Sequence, residues 1–159
     1  MIDIEPLRFA WSRSGTDILT LGRLHLAPGQ TVFLHGPSGC GKSTLLGLLA
    51  GVLTPQQGRV SLLGQDWAAL KAGQRDAFRA DHVGVVFQQF NLLPFLSVLD
   101  NVTLPCRFSK LRRSRCQASG GPEATAQSWL QRMALPEALW SRRADALSVG
   151  QQQRVAAAR

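Results

Sequence analysis

Acidic residues are scarce in this chain of 159 residues: ten Asp and Glu stand against eighteen Lys and Arg. That balance suits a polyanionic ligand, nucleic acid or an anionic membrane surface, and composition does not choose among them. Cysteine is sparse too. Cys40, Cys106 and Cys116 are odd in number and form no C-x-x-C pair. Neither a disulfide framework nor a zinc site is indicated, and a reducing cytosol fits. No apolar run approaches the length of a membrane span, and Met1-Ile2-Asp3-Ile4-Glu5-Pro6 lacks the basic-then-apolar pattern of a secretory signal. A soluble or membrane-peripheral chain is expected. The basic run Arg107, Lys110, Arg112, Arg113, Arg115 has no interleaved aromatics or base-reading motif, so it reads as a solvated surface segment and no specific nucleic acid is expected. No N-K-x-D element is present, which disfavours a GTPase, and neither an internal repeat nor sustained heptads occur. The length suits one domain, and 45% apolar residues are ample for a packed core.

Against these absences stands one dense motif. Residues Gly36, Pro37, Ser38, Gly39, Cys40, Gly41, Lys42, Ser43 and Thr44 follow the apolar run Thr31-Val32-Phe33-Leu34 and precede Leu45, Leu46, Leu48 and Leu49. This is the G-x-x-x-x-G-K-S/T phosphate-binding loop between a buried strand and a helix. Gly36, Gly39 and Gly41 let the backbone approach an anion closely. Successive N–H groups and the positive helix end then surround a β-phosphate. Lys42 supplies a point charge to the β- and γ-phosphates, and the Ser43 hydroxyl is placed to ligate Mg²⁺. Cys40 sits at a variable position, where its small size suits the loop. A nucleoside triphosphate is the expected ligand.

Around the loop, Leu7 to Trp11 and Leu19 to Leu26 read as an antiparallel pair joined by the turn-rich Ser12-Arg13-Ser14-Gly15-Thr16-Asp17. Pro28-Gly29 marks a tight turn. A helix from Lys42 to about Val52, a strand from Gly58 to Leu63 and a polar helix from Trp67 to about His82 follow. Val83-Gly84-Val85-Val86-Phe87 reads as a buried parallel strand. Beyond Gln88, helices are expected over 97–104 and 122–134, with a basic, Ser/Gly-rich connection between them. The organisation is an α/β core over 1–87, a mostly helical subdomain over 88–146, and a last segment over 147–159.

That last segment, Leu147-Ser148-Val149-Gly150-Gln151-Gln152-Gln153-Arg154, begins a helix. It offers a second anion site or an ordinary helix capped by Ser148. With these landmarks in order, the chain resembles the ATP-binding subunit of ABC transporters over its whole length. Leu147 to Gln151 looks like that family's L-S-G-G-Q signature. The resemblance implies a P-loop NTPase (RecA-like) core with N-terminal antiparallel β strands and a helical subdomain, and ATP and Mg²⁺ as ligands. It implies that Trp11 stacks on adenine, worth ~1–3 kcal/mol by analogy with other base–aromatic contacts. Gln88 matches the glutamine that contacts Mg²⁺ and positions the attacking water. Two such subunits would face head to tail as a homodimer, with Ser148, Gly150 and Gln151 of one copy completing the γ-phosphate site of the other. Transmembrane permease subunits would be the further partners, with the apolar segment Asn91-Leu92-Leu93-Pro94-Phe95-Leu96 either contacting them or buried in the helical subdomain. A place on the inner face of the cytoplasmic membrane follows. Asp81 to Gln88, Asn91 to Pro94 and Asp100 to Pro105 are similar to the branch serving lipoprotein release and macrolide-type export.

The sequence departs from that pattern in two places. Val149 replaces the first signature glycine, so the backbone there must take an ordinary conformation. After Arg159 the family continues with an apolar strand carrying the Walker B aspartate and the catalytic glutamate, then a switch histidine. His25, His35 and His82 precede the signature, and no carboxylate here is assignable as general base. The resemblance therefore implies a sheet lacking its C-terminal part, a truncated record, and slow or no hydrolysis by these residues alone. The competing readings are a DNA-repair or chromosome-organising ATPase head and a degenerate, non-catalytic ATP-binding protein.

Overall fold

The computed structural model describes residues 1–12 and 15–159. They form two compact units, Met1–Arg79 and Ala80–Arg159.

In the first unit, β1 (Ile2–Ile4) lies between two antiparallel neighbours. β2 (Leu7–Phe9) buries Leu7 and Phe9 and exposes Arg8, the two-residue alternation of a half-buried strand. It pairs with β3 (Leu19–Leu21), Leu7 opposite Leu21 and Phe9 opposite Leu19, as the sequence leads one to expect. Arg13 and Ser14 of the intervening turn lie outside the described residues. The expected second strand, Leu19 to Leu26, is in fact two. β4 (Leu24–Leu26) leaves β2 and pairs with β1, Ile2 opposite Leu26. The Pro28-Gly29 turn forms, with Gly29 at φ +80° and the Gln30 N–H donating to the Ala27 carbonyl. Helix α1 (Lys42–Leu49) buries Thr44, Leu45 and Leu48. β5 (Val60–Leu62) and β6 (Gln65–Asp66) complete a sheet ordered β4-β1-β5-β6. Gly58, at φ +84°, is forced to be glycine: a Cβ there would lie 2.2 Å from the Pro6 carbonyl oxygen. Trp67 is fully buried and meets Phe78 of α2 (Ala72–His82) edge to face. With Ile4, Leu7, Leu48 and Val60 it makes the core of this unit.

Two expectations fail here. Thr31 to Leu34 and Val83 to Phe87 were expected as buried strands, yet among the described residues neither joins a ladder. Phe33 is 87% exposed and Val86 62%. Apolar composition marks both runs for a sheet interior, but a parallel strand is buried only when neighbours pair with both edges. Among the described residues all strand pairs are antiparallel.

In the second unit, α3 (Val98–Thr103) starts where the Ser97 hydroxyl accepts from the Asp100 N–H at 3.0 Å. The expected basic connection is helical instead: α4 (Pro105–Phe108) and α5 (Lys110–Gln117). The start signals are Pro105 at the first helical position and Ser109, which caps α5 by accepting from the Arg112 N–H at 2.9 Å. Nor is Arg112 a purely solvated charge, since it donates to the carbonyls of Ala80 (2.6 Å) and Val83 (2.9 Å). Cys106 and Cys116 face each other across this hairpin, their sulfurs 3.7 Å apart, and burial pushes the Cys106 thiol above its ordinary range. α6 (Pro122–Arg132) and α7 (Val149–Ala158) pack with α3 around Val98, Val102, Leu130, Leu135 and Val155.

Candidate nucleotide-binding site

The loop from Gly36 to Gly41 is shaped by its glycines. Gly39 and Gly41 hold φ +81° and +91°, the left-handed region that side chains avoid. Gly36 makes room in a different way: a Cβ there would meet the Cys40 sulfur at 2.7 Å, so the Cys40 side chain would have to turn away. The exposed Cys40 side chain lies against Gly36 within the loop. The Cys40 N–H closes a turn onto the Pro37 carbonyl at 3.4 Å. Gly41 caps α1 with no side-chain hydrogen bond. The amides opening this helix have no intrahelical acceptor, and among the described residues no capping side chain takes that place. The Lys42 ammonium folds over the loop, donating to the carbonyls of Gly36 (2.8 Å) and Pro37 (2.7 Å). A cation held above unclaimed amides at a positive helix end fits a phosphate chain. Ser43 is exposed one position further on, and Thr44 is buried against the core.

In the same unit Trp11 is 65% exposed, with Phe9 against its edge at a centroid distance of 5.2 Å and an interplanar angle of 85°. The buried Phe9 supports its ring on one side while much of the Trp11 surface stays open. The chain before it is fixed by Gln56, whose side-chain amide hydrogen-bonds both the N–H and the carbonyl of Ala10. Nothing in the residue types around Gln56 announces this, because the partner lies 46 positions away.

In the second unit Gln88 is exposed in a turn that ends in two left-handed residues, Phe90 (φ +58°) and Asn91 (φ +52°). The Arg159 guanidinium grips that turn, donating to the carbonyls of Asn91 at 2.7 Å and Phe90 at 3.3 Å. Burial lowers its pKa from the ordinary guanidinium range. The next segment is moulded by Asn101, which is fully buried. Its side chain accepts from the Leu93 N–H at 2.8 Å and donates to the carbonyls of Leu93 and Ser97, each at 3.0 Å. The apolar run is thereby split: Leu92 packs on the core while Phe95 is 64% exposed.

The signature residues open α7. Ser148 is its N-cap, accepting from the Gln151 N–H at 3.4 Å, and the Gln151 side chain accepts from the Ser148 N–H at 2.9 Å. This is a reciprocal capping box. Val149 has no positive φ and is 71% exposed, so the substitution costs no backbone strain. Gly150 is exposed, with open space where a Cβ would stand. The phosphate loop and Trp11 therefore belong to the first unit, Gln88 and the signature to the second. Among the described residues no cluster of three or more His, Cys, Asp or Glu could hold a metal, and no helix is long and apolar enough to cross a membrane.

Comparison with known proteins places this geometry. The family model described as ABC transporter matches residues 21–159. An uncharacterised ABC transporter ATP-binding protein of Mycobacterium tuberculosis is 42% identical over 160 residues, covering 99% of this chain but 46% of the relative. The macrolide export ATP-binding/permease protein MacB of Bdellovibrio bacteriovorus is 36% identical over 161 residues, 100% of this chain and 23% of its own length. The chain thus spans less than half the length of either relative. Among solved structures, a dimeric bacterial ABC transporter cassette superposes with a TM-score of 0.84 at 31% identity. It covers 99% of this chain and 68% of the cassette, which has also been seen in a post-hydrolysis state bound to ADP and Pi. The chain has the fold of an ABC ATPase cassette and belongs to the ABC transporter family.

Proposed function

We propose that this chain binds MgATP as the ATP-binding component of an ABC transporter that drives export or release of a substrate through membrane subunits. The observation that carries the reading is the first turn of α1: a left-handed glycine cap, unclaimed amides, and the Lys42 ammonium poised over the loop. Backbone N–H groups from Gly39 to Thr44 would surround the β-phosphate, and Lys42 would leave the Gly36 and Pro37 carbonyls for β- and γ-oxygens. Ser43 would ligate Mg²⁺, which neutralises charge on the phosphates when bound. Trp11 supplies an exposed ring for adenine.

The second copy enters through α7. Ser148 and the Gly150 N–H lie exposed at a helix N-terminus and would meet the γ-phosphate held by a partner. ATP contacting both copies only when they close makes a ligand-biased, two-state pair. Such a pair would sit on the inner face of the cytoplasmic membrane, with Phe95 offered to the membrane subunits. The relation to MacB supports an export branch and leaves the cargo open.

Calorimetric titration with MgATP should give one site per chain, displaced by inorganic tripolyphosphate. Absence of binding, or a site that tripolyphosphate cannot displace, would remove the reading.

A further inference from the structure

A carboxamide outside every motif of the site closes the strand that leads to Trp11. On one edge of β2, the ladder to β3 ends with the Ile18 N–H donating to the Phe9 carbonyl at 2.8 Å. On the other edge, Gln57 exchanges both backbone bonds with Arg8, at 3.1 and 3.4 Å. Alternate residues of a strand offer their N–H and C=O to the same edge, so Ala10 is the next to need partners there. The neighbouring backbone does not supply them. Instead the Gln56 side chain does, its Oε1 accepting from the Ala10 N–H at 3.0 Å and its Nε2 donating to the Ala10 carbonyl. A carboxamide carries one acceptor and a donor pair in a plane, so it acts as one more peptide unit of the ladder.

The loop that carries Gln56 is itself fixed. Gly58 lets it lie against Pro6 and Leu7, and the Glu5 N–H donates to the Arg59 carbonyl at 3.0 Å. At its other end it follows α1, the helix that begins at the phosphate loop. Gln56 therefore ties the residue before Trp11 to the segment that descends from the phosphate site. We propose that Gln56 is a positioning residue for base recognition: by holding Ala10 it fixes the Trp11 ring as a platform, and so sets the preference for a nucleoside triphosphate over a bare polyphosphate. This rests on the reading of Trp11 as the adenine platform. Alanine lacks both hydrogen-bonding groups and the length to reach Ala10; methionine keeps the length and volume and lacks only the polar pair.

The test compares MgATP with magnesium tripolyphosphate by calorimetry on the wild type, Trp11→Ala, Gln56→Ala, Gln56→Met and the double variant Trp11→Ala/Gln56→Ala. Trp11→Ala is expected to weaken MgATP about 5- to 100-fold. Both Gln56 variants are expected to weaken it about 3- to 10-fold, as the loss of one to two hydrogen bonds gives. Tripolyphosphate affinity should stay within about twofold throughout, which also reports an intact phosphate loop. The double variant should match Trp11→Ala alone, because Gln56 acts through that ring. Wild-type MgATP affinity in Gln56→Met, equal loss of both ligands, or additive effects in the double variant would each overturn the proposal. If Trp11→Ala itself retains the wild-type preference, the platform reading falls and takes the proposal with it. If Trp11→Ala loses the preference and Gln56→Met keeps it, only the role of Gln56 falls.

Discussion

Two helices of this chain begin at candidate phosphate sites, and their N-termini are finished in opposite ways. α1 starts at Gly41, a left-handed residue with no side chain to spend, so its opening amides are left to whatever arrives. α7 starts at Ser148 inside a capping box, in which the Ser148 hydroxyl answers the Gln151 N–H and the Gln151 side chain answers the Ser148 N–H, while Gly150 stays exposed. The same helix dipole stands behind both. The open end suits a resident ligand that each copy holds by itself. The closed end is stable alone and can present Ser148 and Gly150 to a phosphate brought by another molecule. One helix start is left without a side-chain cap and the other carries a reciprocal one.

The largest break in that contrast is Lys42→Ala. Removing the ammonium takes away the charge-assisted contacts and is expected to weaken MgATP on the order of 100-fold. Calorimetry reads it directly, and unchanged affinity would show that the open end is not the site. Gly41→Ala attacks the same end through the backbone. A Cβ at φ +91° carries a penalty of about 1–2 kcal/mol and comes within 3.4 Å of the Ile18 carbonyl. A lower urea midpoint together with weaker MgATP is expected; a fall in only one would separate loop shape from stability.

Ser148→Ala tests the closed end. Loss of the cap should cost about 1 kcal/mol of stability. MgATP affinity of the dilute, unpaired chain should stay within about twofold, since the first unit is untouched. ATP-dependent pairing, followed by sedimentation, should weaken. An equal loss of affinity in the dilute chain would show that Ser148 acts within its own copy. The smallest effect is expected of Val149→Gly, which restores a glycine where the backbone needs none. A stability loss of about 0.5 kcal/mol and unchanged pairing are expected; a marked gain in pairing would mean that Val149 hinders the closed end.

What could be read before the structure follows the range of the forces involved. The glycine turn into α1 and the Ser148 cap are local chemistry, a few residues whose types dictate their own backbone, and both form where the sequence puts them. Thr31–Leu34 and Val83–Phe87 carry strand composition without strand pairing, because a ladder belongs to two segments and composition describes one. The helices α4 and α5 were hidden by charge: Arg112 and its neighbours look like solvent-facing loop until Pro105 and Ser109 are taken as start signals. Gln56 and Asn101 were illegible for a plainer reason. A carboxamide can donate and accept anywhere, and only the fold shows that one braces Ala10 and the other the turn around Leu93.

The most direct measurement is the amide spectrum of the chain titrated with MgATP. Large shifts are expected in Gly39, Gly41, Lys42, Ser43 and Thr44, with Ser148 to Gln151 unmoved at concentrations too low for pairing. Shifts confined to α7, or spread over the basic surface with the loop amides still, would contradict an open phosphate site at the start of α1.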